Sequence, residues 1–235
     1  MRYWVVMPAA GAGRRFGGVL PKQHWPLASS TVLEVALQPF IADARCATIA
    51  LALDAESALD TALRSRLPSR VVTVAGGNER ADSVLNGLEA LAGAAASDWV
   101  LVHDAARPCL STRDLDCLLL AGAAHSDGAL LAAPVADTLK HADAKRQCER
   151  TVERAGLWRA LTPQMFRLGA LQSALRAARE SGRTPTDEAQ AMEWQGAAAL
   201  LVEAADANVK ITNREDLVVA EAILAERRGG GKVCV

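Results

Sequence analysis

The sequence predicts an α/β fold, a single domain on a doubly wound, mostly parallel sheet, and three observations predict it. Short apolar runs recur at 3–7, 47–53, 71–75, 99–103 and 129–134, each bounded by turn or charged residues, as strands buried on both faces require. Longer helical patterns at 31–42, 55–67, 81–91 and 112–124 lie between them. The alternation of strand and helix is unbroken up to residue 134, and that order builds parallel pairs through right-handed crossovers.

Taken in order, the first run is Tyr3-Trp4-Val5-Val6-Met7, which stops at Pro8 and a glycine loop. In the pattern at 81–91, Val84, Leu85, Leu88 and Leu91 share one helical face, the i, i+3, i+4, i+7 spacing of a helix laid on a sheet. The alternation breaks at 135–153, where Asp137, Lys140, His141, Asp143, Lys145, Arg146, Glu149 and Arg150 crowd a polar stretch. A structureless loop of that length is unusual inside a compact domain, so the stretch is expected to form its own excursion, such as a hairpin. Helices follow at 168–180 and 187–194, a strand at 198–202 and a last helix from about 215 to 227. The domain is expected to span 1–228, with 229–235 as a flexible tail.

Composition bounds the function classes. The chain has 235 residues, 26 basic and 27 acidic, for a formal net charge of -1. That balance argues against generic binding to nucleic acid or to anionic membranes, which both need a sustained positive field. Hydrophobic residues make up 51%, but 48 of them are Ala and aromatics are only 4%, a helix-favouring composition that excludes a disordered chain. The five cysteines (Cys46, Cys109, Cys117, Cys148, Cys234) contain no C-x-x-C pair, so neither a disulfide framework nor a zinc site is expected. No apolar run approaches a membrane span, and the expected location is the cytoplasm. Of the basic residues 21 are Arg and only five are Lys, among them Lys22 and Lys210.

The loop after the first strand reads Pro8-Ala9-Ala10-Gly11-Ala12-Gly13-Arg14-Arg15-Phe16-Gly17-Gly18. In an open parallel sheet, ligands bind beyond the carboxyl ends of the strands. Glycines there let backbone N–H groups approach phosphate oxygens, and arginines add permanent charge. The spacing of Gly11, Gly13 and Gly17 is one residue too long for the dinucleotide fingerprint, and no acidic residue follows at the ribose position. No G-K-[ST] is present, which excludes a Walker loop. Pro21-Lys22-Gln23 closes the segment. On spacing alone, a plain glycine turn with solvated arginines remains the alternative. An oxidoreductase and a catalytically silent nucleotide binder are the rival classes.

Eight segments in order carry a resemblance. Pro8–Arg15 with Pro21-Lys22-Gln23 resembles the nucleotide-binding loop of the sugar-phosphate nucleotidyltransferases, and within them the methylerythritol-phosphate cytidylyltransferase family. Gly76-Gly77-Asn78-Glu79-Arg80-Ala81-Asp82-Ser83-Val84, Val102-His103-Asp104-Ala105-Ala106-Arg107-Pro108 and Ala133-Pro134-Val135-Ala136-Asp137-Thr138 are similar to the same family. So are Thr151-Val152-Glu153-Arg154, Ala160-Leu161-Thr162-Pro163-Gln164, Thr186-Asp187-Glu188-Ala189 and Asn208-Val209-Lys210-Ile211-Thr212.

The resemblance implies a Rossmann-like nucleotidyltransferase fold and CMP transfer from CTP to methylerythritol phosphate in non-mevalonate isoprenoid synthesis. Another polyol phosphate, such as ribitol 5-phosphate, is the alternative acceptor. Arg15 and Lys22 are implied as transition-state stabilisers on the triphosphate, and Arg154 and Lys210 as the cations that position the methylerythritol phosphate. Ala9, Ala10, Gly11, Gly13, Gly77 and Ser83 are implied to meet the nucleotide, and Asp104, Arg107, Thr138 and Thr162 to line or approach the acceptor site. The arm at about 135–153 is implied to hook around a second subunit, making a homodimer in which Thr138 and Arg154 reach the partner's site. Mg²⁺ is expected on the CTP phosphates, with Asp104 available to it. Asn78 stands where many relatives are expected to carry Asp, a small change if the contact there is made by the backbone. His103 is read as support rather than chemistry, since no metal-type partner stands near it, and Thr186-Asp187 as a helix cap.

Overall fold

The computed structural model describes residues 1–11, 21–54, 57–204 and 207–228. Strand β1 (Tyr3–Pro8) alternates its side chains between two buried faces. Tyr3, Val5 and Met7 join one apolar cluster, and Trp4 and Val6 join the other. This is why its sequence reads as a continuous apolar run. Helix α1 (Val32–Ala42) begins at a reciprocal cap, in which the Thr31 side chain accepts from the Glu34 N–H and the Glu34 carboxylate accepts from the Thr31 N–H. Next come β4 (Cys46–Leu53), α2 (Ala58–Arg64), β5 (Val71–Ala75), α3 (Arg80–Glu89), β6 (Trp99–Val102), α4 (Thr112–Ala123) and β7 (Ala129–Pro134). A small hairpin of β2 (Pro26–Leu27) and β3 (Ser30–Thr31) precedes α1.

After β7 the polar stretch folds as a two-stranded antiparallel arm, β8 (Leu139–Ala142) against β9 (Cys148–Val152). Strand β10 (Trp158–Arg167), helices α5 (Leu168–Glu180) and α6 (Glu188–Glu193), strand β11 (Leu200–Glu203) and helix α7 (Arg214–Arg228) complete the described chain. The seven-stranded sheet runs β11-β7-β10-β6-β1-β4-β5. Pairs β1–β4, β1–β6, β4–β5 and β7–β11 are parallel, whereas β10 is antiparallel to both β6 and β7. The fold class expected from sequence is therefore the observed one, an α/β mostly parallel sheet with helices on both faces.

Two differences bear on the site. Helix α2 spans Ala58–Arg64, with the Ser57 side chain capping its start, and is shorter than the 55–67 read from sequence; residues 55 and 56 lie outside the described residues. Strand β10, the only reversed strand of the large sheet among the described residues, has no sequence expectation behind it. Pro163 and polar Thr162 and Gln164 interrupt its apolar run, and Pro demotes a segment in any reading by pattern. The fold accommodates Pro163 at an irregularity, where the β10–β7 register shifts between Ala160 and Gln164. Among the described residues no helix is long and apolar enough to cross a membrane. The tail at 229–235 and the central glycine-loop residues 12–20 lie outside the described residues.

Candidate active site

Strand order reverses around β1, because α1 carries the chain to β4 on one side while β6 pairs on the other. A cleft of about 710 Å³ opens at the carboxyl ends of the strands there, the place where open α/β sheets bind ligands. It is lined by the loop after β1 (Ala9, Ala10, Gly11), by Lys22, by Gly77, Asn78, Arg80 and Ser83 at the entry to α3, by Asp104 after β6 and by Lys210. Eight residues singled out from sequence thus share one cavity: Ala9, Ala10, Gly11, Lys22, Gly77, Ser83, Asp104 and Lys210. Gly13 and Arg15 lie outside the described residues.

The floor is backbone packed on backbone. A Cβ at Gly76 would fall 2.1 Å from the Ala10 Cβ, far inside contact distance, so only glycine lets the turn after β5 lie against the turn after β1. Ser83 is 4% exposed and closes the turn: its Oγ accepts from the Gly77 N–H at 3.0 Å and donates to the Glu79 carbonyl at 3.2 Å. Gln23, also buried, donates to the Ala9 carbonyl at 2.8 Å. The short 3-10 turn Lys22–His24 is thereby tied to the β1 loop, which sets Lys22 at the cleft wall.

Charge concentrates around Asp104. Its Oδ2 lies 2.8 Å from the Lys210 Nζ and 3.8 Å from the Arg107 Nε, and its Oδ1 3.0 Å from the Arg80 Nη2. Burial alone would raise this carboxyl's pKa, but Arg80 and then Lys210 and Arg107 outweigh it and hold the group well below the usual carboxylate range. Arg107 does not line the cleft. Its guanidinium is buried, donating to the Asn208 carbonyl at 2.8 Å and toward the Ala160 carbonyl at 3.5 Å, so it fastens the loop that bears Lys210 to β10. Asn208 adds a bond of its own to the Thr162 carbonyl at 2.7 Å.

Thr162 also stands behind the wall. Its hydroxyl accepts from the Asp104 N–H at 3.0 Å and lies 3.0 Å from the His103 Nδ1, while the His103 Nε2 lies 3.0 Å from the Arg107 carbonyl. One assignment satisfies all three contacts: neutral His103 with Nε2–H donating to the carbonyl and Nδ1 accepting the threonine proton. Complete burial pushes the His103 pKa down to about 4. The sign follows. Between pH 6.5 and about 4 the unfolded chain takes up a proton that the folded chain refuses, so stability falls as pH falls through that window. In urea titrations His103→Gln is expected to flatten this acid slope, and an undiminished slope in the variant would assign it elsewhere.

The arm residues are not brought to this chain's cleft. Thr138 and Arg154 are exposed at the base of the hairpin, where the Arg154 guanidinium donates to the Ala136 carbonyl. The expected cap is present, with the Asp187 side chain accepting from the Gln190 N–H at 2.9 Å. Two residues went unassigned in the sequence. Arg80 lines the cleft, and buried Glu188 pairs with it at 2.6 Å. The only sequence signal for them was their place inside two of the resembling segments.

A glycine-floored cleft with clustered cations at the carboxyl edge of such a sheet defines a nucleotide-handling transferase of the α/β class. The IspD profile, described as 2-C-methyl-D-erythritol 4-phosphate cytidylyltransferase, matches residues 3–226. The chain belongs to that family. It is 50% identical over 237 residues to the Acidithiobacillus ferrooxidans (strain ATCC 53993 / BNL-5-31) 2-C-methyl-D-erythritol 4-phosphate cytidylyltransferase, covering 98% of this chain and 99% of the relative. To that of Vibrio atlanticus (strain LGP32) it is 44% identical over 223 residues, 95% of each. The crystal structure of the Francisella tularensis enzyme superposes with a TM-score of 0.82 at 32% identity, over 95% of this chain and 100% of that one.

Proposed function

We propose that the chain transfers CMP from CTP to 2-C-methyl-D-erythritol 4-phosphate, releasing pyrophosphate, in isoprenoid precursor synthesis. The observation that carries this reading is family membership across 3–226 in a chain whose glycine turns, Lys22 and Lys210 meet in one cleft.

The chemistry asks little of the protein beyond position and charge. A phosphate oxygen of the acceptor forms a bond to the α-phosphorus of CTP while the bond to the leaving pyrophosphate breaks. The attacking group is already an anion at neutral pH, so no protein base or nucleophile is needed. The obstacle is bringing two polyanions into line, and preorganised cations remove it. Lys22, held by the Gln23 anchor, meets the triphosphate, with Arg15 in the same role. Lys210, aimed by Asp104, meets the acceptor phosphate. Ala9, Ala10, Gly77 and Ser83 meet the cytosine of CTP.

Mg²⁺ belongs to this proposal as a counter-ion on the triphosphate, where it would neutralise phosphate charge. The protein side offers it little. Among the described residues no group of three His, Cys, Asp or Glu could hold a metal, and Asp104 already meets cations on both oxygens. The working unit is a homodimer in which the arm delivers Thr138 and Arg154 to the neighbouring cleft, and its location is the cytoplasm. Their exposure at the base of a protruding hairpin supports that reading.

The test is a pair of assays with one enzyme preparation. CTP-dependent pyrophosphate release is expected with methylerythritol phosphate and not with ribitol 5-phosphate. The reverse preference would transfer the assignment to another polyol phosphate.

A further inference from the structure

Beyond the groups that face the cleft, one buried carboxylate has no function in the reaction as derived so far. Glu188 opens α6 and is 1% exposed. Both of its oxygens are committed to one partner: the Arg80 Nη1 donates to Oε1 at 2.6 Å and the Arg80 Nη2 to Oε2 at 3.2 Å. This is a fork-on-fork pair, the geometry that fixes a guanidinium in orientation as well as in place. What remains of Arg80, its Nε and the edge of Nη2, meets the Oδ1 of Asp104, at 3.1 and 3.0 Å. The Oδ2 of Asp104 faces Lys210 at 2.8 Å, with the Arg107 Nε farther off at 3.8 Å.

The four side chains form a line of alternating charge, Glu188, Arg80, Asp104, Lys210, buried at the carboxylate end and exposed at the ammonium end. We infer that Glu188 is a positioning residue for the acceptor phosphate, acting through Arg80 and Asp104 on Lys210. Without its charge, Arg80 has Asp104 as its one remaining carboxylate among the described residues. A guanidinium so released turns its fork onto both Asp104 oxygens and displaces Lys210, or swings toward the substrates' phosphates. In either case the cation that meets the acceptor is no longer held. Burial acts to lower the Arg80 pKa, and Glu188 and Asp104 more than offset it, holding it above the ordinary arginine value. The arrangement thus depends on two negative partners.

This inference rests on the proposed role of Lys210, and the experiment separates the two. Steady-state kinetics are measured on the full chain with CTP and methylerythritol phosphate for Lys210→Ala, Glu188→Gln, Arg80→Met and the double variant Arg80→Met/Glu188→Gln. Glu188→Gln is expected to raise KM for methylerythritol phosphate about tenfold, with KM for CTP changed less than about twofold, since one charge-assisted contact is at stake. The double variant is expected to match Arg80→Met, because a residue that acts through another adds nothing once the other is gone. Should Glu188→Gln not fold, Glu188→Asp keeps the charge and withdraws it by one methylene, and a smaller rise of about threefold is expected.

An unchanged KM for the acceptor in the folded Glu188 variant, with Lys210→Ala impaired, overturns the role of Glu188 alone. Equal rises for both substrates, or additive effects in the double variant, overturn it too. An unimpaired Lys210→Ala overturns the acceptor role of Lys210, and the inference with it.

Discussion

Lys22→Ala is expected to lower kcat by about 10²–10³-fold at saturating substrates, the usual cost of deleting one preorganised group that meets transition-state charge. The melting temperature should barely move. Lys22 is half-buried at the cleft wall, and the turn that carries it is tied to the β1 loop by a bond of its neighbour Gln23, which the substitution leaves in place. Pyrophosphate release in single-turnover mixing separates chemistry from binding. A variant with normal single-turnover rates and only a raised KM for CTP would reduce Lys22 to a ground-state anchor. Arg15→Ala is expected to behave alike, whereas Arg154→Ala should act mainly on KM for the acceptor, in keeping with the role proposed for its cation at the acceptor phosphate. Equal effects of all three on CTP affinity alone would remove this division of labour.

How much of this was legible in the sequence follows from range. The β1 run, the glycine turn at Gly76-Gly77 and the patterned helix α3 are local signals, and each appears where its period or punctuation places it. Helix α5 carries the expected bounds, Leu168–Glu180. Lys22 and Lys210 attracted notice through the scarcity of lysine and through motif resemblance, and the fold brings them to one cavity. Strand β10 was illegible because its partners, not its pattern, make it a strand. It is held between β6 and β7 although a proline interrupts it. The Arg80–Glu188 pair was hidden for a similar reason, since its members are 108 residues apart and no spacing rule joins two charges at that distance. Arg107 shows the converse. The resemblance implies that it lines the acceptor site, whereas the packing spends its guanidinium on carbonyls of two other segments.

Asp104→Asn is the substitution with the widest expected consequences, because it strikes stability and activity through the same charge. The residue is 8% exposed and faces Arg80, Lys210 and Arg107. An amide keeps the shape but leaves three cations sharing one neutral group, and breaking a buried ionic arrangement on one side costs about 3–5 kcal/mol. Released from its carboxylate, Lys210 no longer holds one orientation, and kcat/KM for methylerythritol phosphate is expected to fall about 100-fold, with KM for CTP much less affected. The pH dependence carries the signature. The folded carboxyl titrates far below its unfolded value, so its stabilisation is fully present above about pH 4 and is lost as pH falls toward the folded pKa. The gap between wild type and variant in urea midpoints should be full at pH 7. Below about pH 4 it should narrow by about 1.4 kcal/mol per pH unit. A gap of unchanged size at pH 3 would mean that the variant suffers from a packing defect, and that the charge on Asp104 is not what holds the cations around it.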